Sequence, residues 1–316
     1  MMRLLLSFER HFWFWCILST IAGLFWPAPF RLLQPKPVLD ITLMGILFCT
    51  CLKIDRRTIL DALRRPGFMA WTAFLLLLVM PCATYTVARL VAPDFAVGFL
   101  ILAAMPAGMA AGAMTEVAGG TAGHALAVTT VTSLLCPLTV PPIIRVLTGT
   151  AAPMTDLARQ AGLLMLLLFI PLILAQITKR LWPTAVERIK PILTSLSIIS
   201  LCLLVLGAMS ANSATFMAHL DRAPALLAGV FIFSAAFHLG GFFIAPAAPI
   251  GERVALSVAT AYVNNGLAIV FAMSFFSADP FAVLPAILIE FPMTLLILPL
   301  RWIGARLRRG NAPCTS

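Results

Sequence analysis

Charge is scarce in this 316-residue chain. Asp, Glu, Lys and Arg make up 11% of it and hydrophobic residues 61%, with a mean hydropathy of +1.01. A soluble domain carries about 25% charge, so the two soluble domains that length alone suggests are excluded in favour of a polytopic membrane protein. Acidic residues are the scarcer sign, 12 against 22 Lys and Arg, for a net +10. That excess is not a nucleic-acid footprint, because the basic residues lie in short connectors between apolar runs, where they orient a membrane protein. Seven cysteines (Cys16, Cys49, Cys51, Cys82, Cys136, Cys202 and Cys314) are scattered, mostly within apolar runs. They form no disulfide framework and no zinc-site spacing. Catalytic signatures are missing too: no His-Glu-x-x-His, no Gly-x-Ser-x-Gly, no Walker loop and no paired intramembrane aspartates. The expectation is a non-enzyme without cofactor or resident metal, driven by an ion gradient or by its substrate's own gradient. Glu9 and Arg10 interrupt the first apolar stretch and no small-residue cleavage site follows, so Met1–Arg10 is expected to be retained.

What is present is a series of long apolar runs. A helical span needs about 20 apolar residues, and ten candidates are visible: 12–30, 37–52, 68–92, 95–118, 124–147, 160–178, 191–210, 223–248, 253–277 and 280–303. With the N-terminus inside, cytoplasmic segments hold 16 of the 22 Lys and Arg, mostly in the hairpins Lys53–Arg65 and Lys179–Lys190. Both termini are therefore expected in the cytoplasm of a multi-pass cell-membrane protein. Phe25-Trp26-Pro27 with Lys36-Pro37-Val38-Leu39 is echoed by Leu181-Trp182-Pro183 with Lys190-Pro191-Ile192-Leu193. Five spans separate the copies, an odd number, so the second is inverted. The fold expected is an all-α membrane protein of ten helices in a 5+5 inverted-topology repeat, residues 1–158 and 159–316.

Two interruptions occupy matching places in these halves. Pro106-Ala107-Gly108-Met109-Ala110-Ala111-Gly112 breaks the fourth run and Asn264-Asn265-Gly266 the ninth, about 155 positions apart. Broken helices at corresponding places point to a transporter's binding site, because unwound backbone is tolerated in a membrane only where it lines a protected cavity. Pro106 lacks an amide hydrogen, and Gly108 and Gly112 leave backbone unscreened. Thr115 and Glu116 follow the first break, and Thr129-Thr130-Val131-Thr132-Ser133 places four hydroxyls where they converge on it or pack helix to helix. Ser257, Thr260, Tyr262, Asn264 and Asn265 form a polar set in the ninth run. Glu290, His238 and Glu116 are ionisable groups at or near membrane depth. Glu290 is either a proton carrier or a structural hydrogen bonder, and His238 reads as a satisfied core residue. No basic residue lies near either break, which argues against a multiply charged substrate.

These residues resemble the bile acid:sodium symporter family. Pro106-Ala107-Gly108, Met114-Thr115 and Thr129-Thr130-Val131-Thr132-Ser133-Leu134-Leu135-Cys136-Pro137-Leu138 are similar to its fourth-to-fifth-helix signature. Ser257-Val258 and Asn264-Asn265-Gly266-Leu267-Ala268 resemble its ninth-helix motif. His238 with Gly240-Gly241 is similar to its eighth helix, and Lys53 through Arg64-Arg65-Pro66 to its second loop. The resemblance implies panel and core subdomains, fourth and ninth helices that break and cross in the core, and an organic anion bound beside the crossing. It also implies two sodium ions behind the crossing, yet the glutamate and glutamine of that set fall at Ala259 and Val263. Its serine-asparagine pair falls at Ala111-Gly112, a further serine at Ala125 and the third-helix glutamine at Leu76.

The reading is a secondary transporter of small organic anions, working by alternating access in the lipid bilayer. Its substrate set is Pro106, Gly108, Gly112, Thr115, Asn264, Asn265 and Gly266. Its ion set is Thr129, Thr130, Thr260, Tyr262, Glu290 and Glu116, with sodium, proton or no coupling ion left open, as are direction and oligomeric state. The alternative is a membrane sensor or assembly protein that keeps the fold without transport.

Overall fold

The computed structural model of the chain describes residues 11–53, 65–108, 110–149 and 154–310. Met109, most of the Lys53–Arg65 hairpin, Met1–Arg10 and Cys314 lie outside them. Among the described residues the protein is all-helical: α1 Phe12–Phe25, α2 Lys36–Cys51, α3 Pro66–Val91, α4 Ala96–Ala104, α5 Ala111–Val117, α6 Ala122–Thr148, α7 Met154–Leu181, α8 Pro183–Ala218, α9 Ala223–Phe243, α10 Ile250–Ala261, α11 Asn265–Phe275, α12 Leu284–Leu288 and α13 Glu290–Gly310. Five of these regions (66–91, 122–148, 154–181, 183–218 and 220–243) are long and apolar enough to cross a membrane. Shorter apolar helices flank the two breaks. The fourth run is divided into α4 and α5, the ninth into α10 and α11. The tenth begins later than the sequence suggests and runs to Gly310.

Local chemistry explains the irregular points. In α3 the stretch Leu75–Val79 widens to π-helix just before Pro81, which lacks the amide hydrogen a regular turn requires. Leu76, where the resemblance expects glutamine, is buried in that wide turn. Met105 is extended, with ψ 150°, because the following Pro106 disfavours α conformation in the residue before it. That ends α4.

Packing gathers the helices into two sets. α8 lies along α1 and α2, and α2 also touches α7, whereas α10 packs on α9, α6 and α5. Gly23 of α1 lets α8 approach until a side chain there would meet the Leu206 carbonyl at 2.8 Å, the small-residue contact that brings membrane helices together. Every residue of α4 except the half-buried Val97 is buried, as is the whole run Val254–Ala272. A helix apolar on every side belongs in the interior. The large exposed hydrophobics, among them Ile173, Leu174 and Ile177 on α7, form the periphery. Residues 106–108 and 264–266 of the two breaks lie within this interior, while Ala110 is exposed.

Candidate functional site

The two breaks meet. Ala107 and Val263 form an antiparallel bridge, Gly108 N–H donates to the Tyr262 carbonyl at 2.5 Å, and Asn264 N–H donates to the Pro106 carbonyl at 2.8 Å. A β-carbon at Gly108 would lie 2.8 Å from the Tyr262 oxygen and 3.0 Å from the Val263 oxygen, so glycine is required here for the chains to touch. Free backbone groups at the crossing are bonded by neighbouring side chains, as a dry interior demands. Thr132 Oγ1 of α6 accepts from Ala107 N–H at 3.2 Å and donates to Val128 O at 2.8 Å, while Thr129 donates to Gly108 O at 3.4 Å. Replacing Thr132 with Val removes the acceptor for Ala107 N–H and should cost about 1–3 kcal/mol. The melting temperature of purified protein in detergent should fall for Thr132→Val and be recovered in Thr132→Ser.

Asn264 caps α11. Its Oδ1 accepts from Leu267 N–H at 3.1 Å, the standard use of an asparagine at a helix start. With the oxygen committed to the cap, the orientation of the amide is set, and Nδ2 points away from the helix. That nitrogen is buried and has no hydrogen-bond partner among the described residues, although Asn264 is only 7% exposed. Next to it, Asn265 Nδ2 donates to Glu290 Oε1 at 2.7 Å and reaches Ala286 O at 3.4 Å. Tyr262 donates its hydroxyl to the Met293 carbonyl.

These groups line a cavity of about 310 Å³, at the lower end of ligand-site volumes. One wall is a stripe of α2 and its C-terminal turn: Leu43, Ile46, Leu47, Thr50 and Lys53. Thr194, Ser197, Ile198 and Leu201 of α8 and Ala110, Ala113, Met114 and Val117 beside α5 supply others. Each set recurs at three- and four-residue steps, which places it on one helical face. At about 1.5 Å per residue, Leu43 to Lys53 spans about 15 Å, with Gly266 at the Leu43 end. Lys53 Nζ donates to Thr194 Oγ1 at 2.9 Å. A cation in the same cavity as the breaks corrects the expectation that no basic residue is near them: it is remote in sequence but is carried in by the length of α2.

The expected residues divide. Gly108, Asn264, Asn265, Gly266, Tyr262 and Glu290 line the cavity. Pro106 is buried behind it as the acceptor for Asn264 N–H. Gly112 faces Leu126 of α6, whose side chain would be 2.6 Å from a β-carbon there; it serves helix packing instead of opening backbone to a ligand. Thr115 is buried beneath Gly120, away from the lining. Thr129 supports the crossing, but Thr130 only bonds back to Leu126 O at 2.8 Å, so the four hydroxyls do not all converge. Thr260 likewise donates to Leu256 O at 2.7 Å. Glu116 is exposed and off the cavity, which removes it from the coupling set. His238 is satisfied on one side: Ser257 Oγ donates to His238 O at 2.8 Å and so accepts from Nδ1–H at 3.1 Å, while Nε2 has no partner among the described residues. Of the side chains the resemblance expects around sodium, Thr129 is retained, but Ala111, Ala125 and Ala259, each 0% exposed, present only methyl groups and Leu76 and Val263 only alkyl groups. Sodium wants several oxygen ligands, as calcium and magnesium do, and these side chains do not fit it.

Two broken helices bonded through their breaks over a cavity are the architecture of a multi-pass membrane transporter, and comparison with known proteins agrees. The profile of the SBF-like CPA transporter family matches residues 10–290; the chain belongs to this family. A curated relative, the "Uncharacterized sodium-dependent transporter YocS" of Bacillus subtilis (strain 168), is 25% identical over 287 residues, covering 88% of this chain and 85% of its own length.

Proposed function

We propose that the protein is a secondary transporter of small organic monoanions, which bind in the cavity at the crossing and are moved by alternating access. The observation that carries this reading is the Asn264 amide: a buried donor held by its own cap, without a partner among the described residues, at the N-terminus of an 11-residue helix. The helix dipole and the amide both favour a negative group. The apolar stripes of α2 and α8 suit a hydrocarbon body, and Lys53 at the far end draws anions toward the cavity.

We read the chain as ten crossings in two inverted halves, 1–158 and 159–316, in the cell membrane. α1, α2, α7 and α8 would form the panel and the remaining helices the core, rocking about the crossing. With both termini in the cytoplasm, the Lys53 end of the cavity is the inward mouth. YocS is named sodium-dependent; the alkyl groups at Ala259, Val263, Ala111, Ala125 and Leu76 favour proton coupling through Glu290 here.

The test is flux into proteoliposomes of purified protein, using pyruvate, lactate, benzoate and benzenesulfonate with sodium and proton gradients imposed separately. Uptake that follows the proton gradient and needs Asn264 supports the proposal. Uptake that follows sodium overturns the coupling assignment. A well-folded protein that moves none of them favours a sensor or assembly role.

A further inference from the structure

Glu290 shares the cavity with the anion-seeking amide of Asn264, and Asn265, the next residue in the chain, bonds to its carboxyl directly at 2.7 Å. Two carboxylates at such neighbouring positions in a water-poor site do not both stay ionised. Building on the proposed binding of an anion at Asn264, we infer that substrate and Glu290 exclude each other's negative charge, so that each anion binds only with Glu290 protonated and one proton crosses with it.

The hydrogen bonds fit both states. In the empty site Glu290 is a carboxylate whose Oε1 accepts from Asn265 Nδ2. When an anion arrives, the carboxylate takes a proton from water at the cavity mouth and becomes a neutral acid; Oε1 keeps its bond while the anion accepts from Asn264 Nδ2. The site holds one negative charge in either leg, on the substrate when loaded and on Glu290 when empty. Loaded and empty translocation therefore move equal charge, and a full cycle carries one anion and one proton with no net charge.

The groups around Glu290 do not offer another proton acceptor of equal placement. Cys16 of α1 and Cys202 of α8 lie near it as thiols, with their sulfurs 4.0 Å apart, and the Tyr262 hydroxyl is committed to the Met293 carbonyl. On the helices packed against α13, His238 faces Ser257 and Glu116 is exposed. Lys53, in the same cavity, belongs to the other end.

The experiment measures charge as well as substrate. Wild-type protein in proteoliposomes takes up the best-transported of pyruvate, lactate, benzoate and benzenesulfonate, while a lumenal pH dye counts protons and a potassium–valinomycin gradient sets the voltage. The expected result is one proton per anion, uptake that rises as external pH falls, and accumulation that is indifferent to voltage. Glu290→Gln is expected to lose at least tenfold of the proton movement and to become electrogenic, its accumulation shifting tenfold per about 60 mV. Anion uptake with net charge movement in the wild type overturns this inference and leaves anion transport standing. Absence of flux for all four probes overturns both. If Glu290→Gln does not fold, the wild-type charge measurement decides alone.

Discussion

Asn264→Asp should leave the protein folded and nearly abolish anion uptake. Aspartate keeps an oxygen for Leu267 N–H, currently accepted by Oδ1 at 3.1 Å, and caps helices as well as asparagine does. It replaces Nδ2, which has no partner among the described residues, by a second oxygen, often charged, in the place where a donor is needed. Loss of a hydrogen bond to a charged partner alone is worth about 1.5–3 kcal/mol, or roughly 10- to 150-fold in affinity, and repulsion adds to it. Asn264→Ala loses the cap too, at about 0.5–2 kcal/mol, so it should lower both stability and flux. The pair separates binding from folding: uptake assays with thermal melting should show Asp hurting transport alone and Ala hurting both. Asp at wild-type transport rates would remove Asn264 from the binding site.

Gly108→Ala is expected to have a large structural effect, because it forces the crossing itself apart. The added carbon would lie 2.8 Å from Tyr262 O, 3.0 Å from Val263 O and 3.2 Å from Val263 C, and all three are backbone atoms. No rotamer change relieves such a clash, so the crossing must spread, with loss of the Gly108 N–H bond to Tyr262. Overpacking costs about 1–3 kcal/mol and an unbonded buried amide a further 1–3 kcal/mol or so. Detergent-solubilised Gly108→Ala should melt well below wild type or fail to express. By contrast, Gly112→Ala meets only the Leu126 side chain, and Gly112→Ala with Leu126→Ala should restore its melting temperature. Wild-type melting for Gly108→Ala would mean that the two breaks do not touch.

How much of this was readable from residues alone depended on contrast. The breaks were legible because Pro106, Gly108 and the Asn264-Asn265-Gly266 run are poor helix formers inside sequence that is otherwise all helix. Glu290 was legible because a carboxylate among leucines stands out. The cavity wall was not. Leu43, Ile46, Leu47, Ile198 and Leu201 line it, yet Ile41, Ile173 and Ile177 on the periphery are just as apolar. In a soluble helix the buried face differs chemically from the wet one. In a membrane both faces are hydrocarbon, and sequence periodicity loses its signal. Lys53 was assigned to orientation, because its position at the cavity's end follows from where α2 stops. Thr129 and Thr130 are indistinguishable as residue types; the turn of α6 alone sends one to Gly108 and the other back to Leu126.

The bonds described at the crossing run to α6, α12 and α13, and none reaches α2 or α8. Where Gly266 faces those helices, its neighbours are the Leu43 and Leu204 methyl groups. Shear along such a seam exchanges one set of dispersion contacts for another and strips no dipole of its partner. The stiffness that keeps the crossing assembled and the slip that lets it travel are thereby assigned to different faces of the same short stretch of chain.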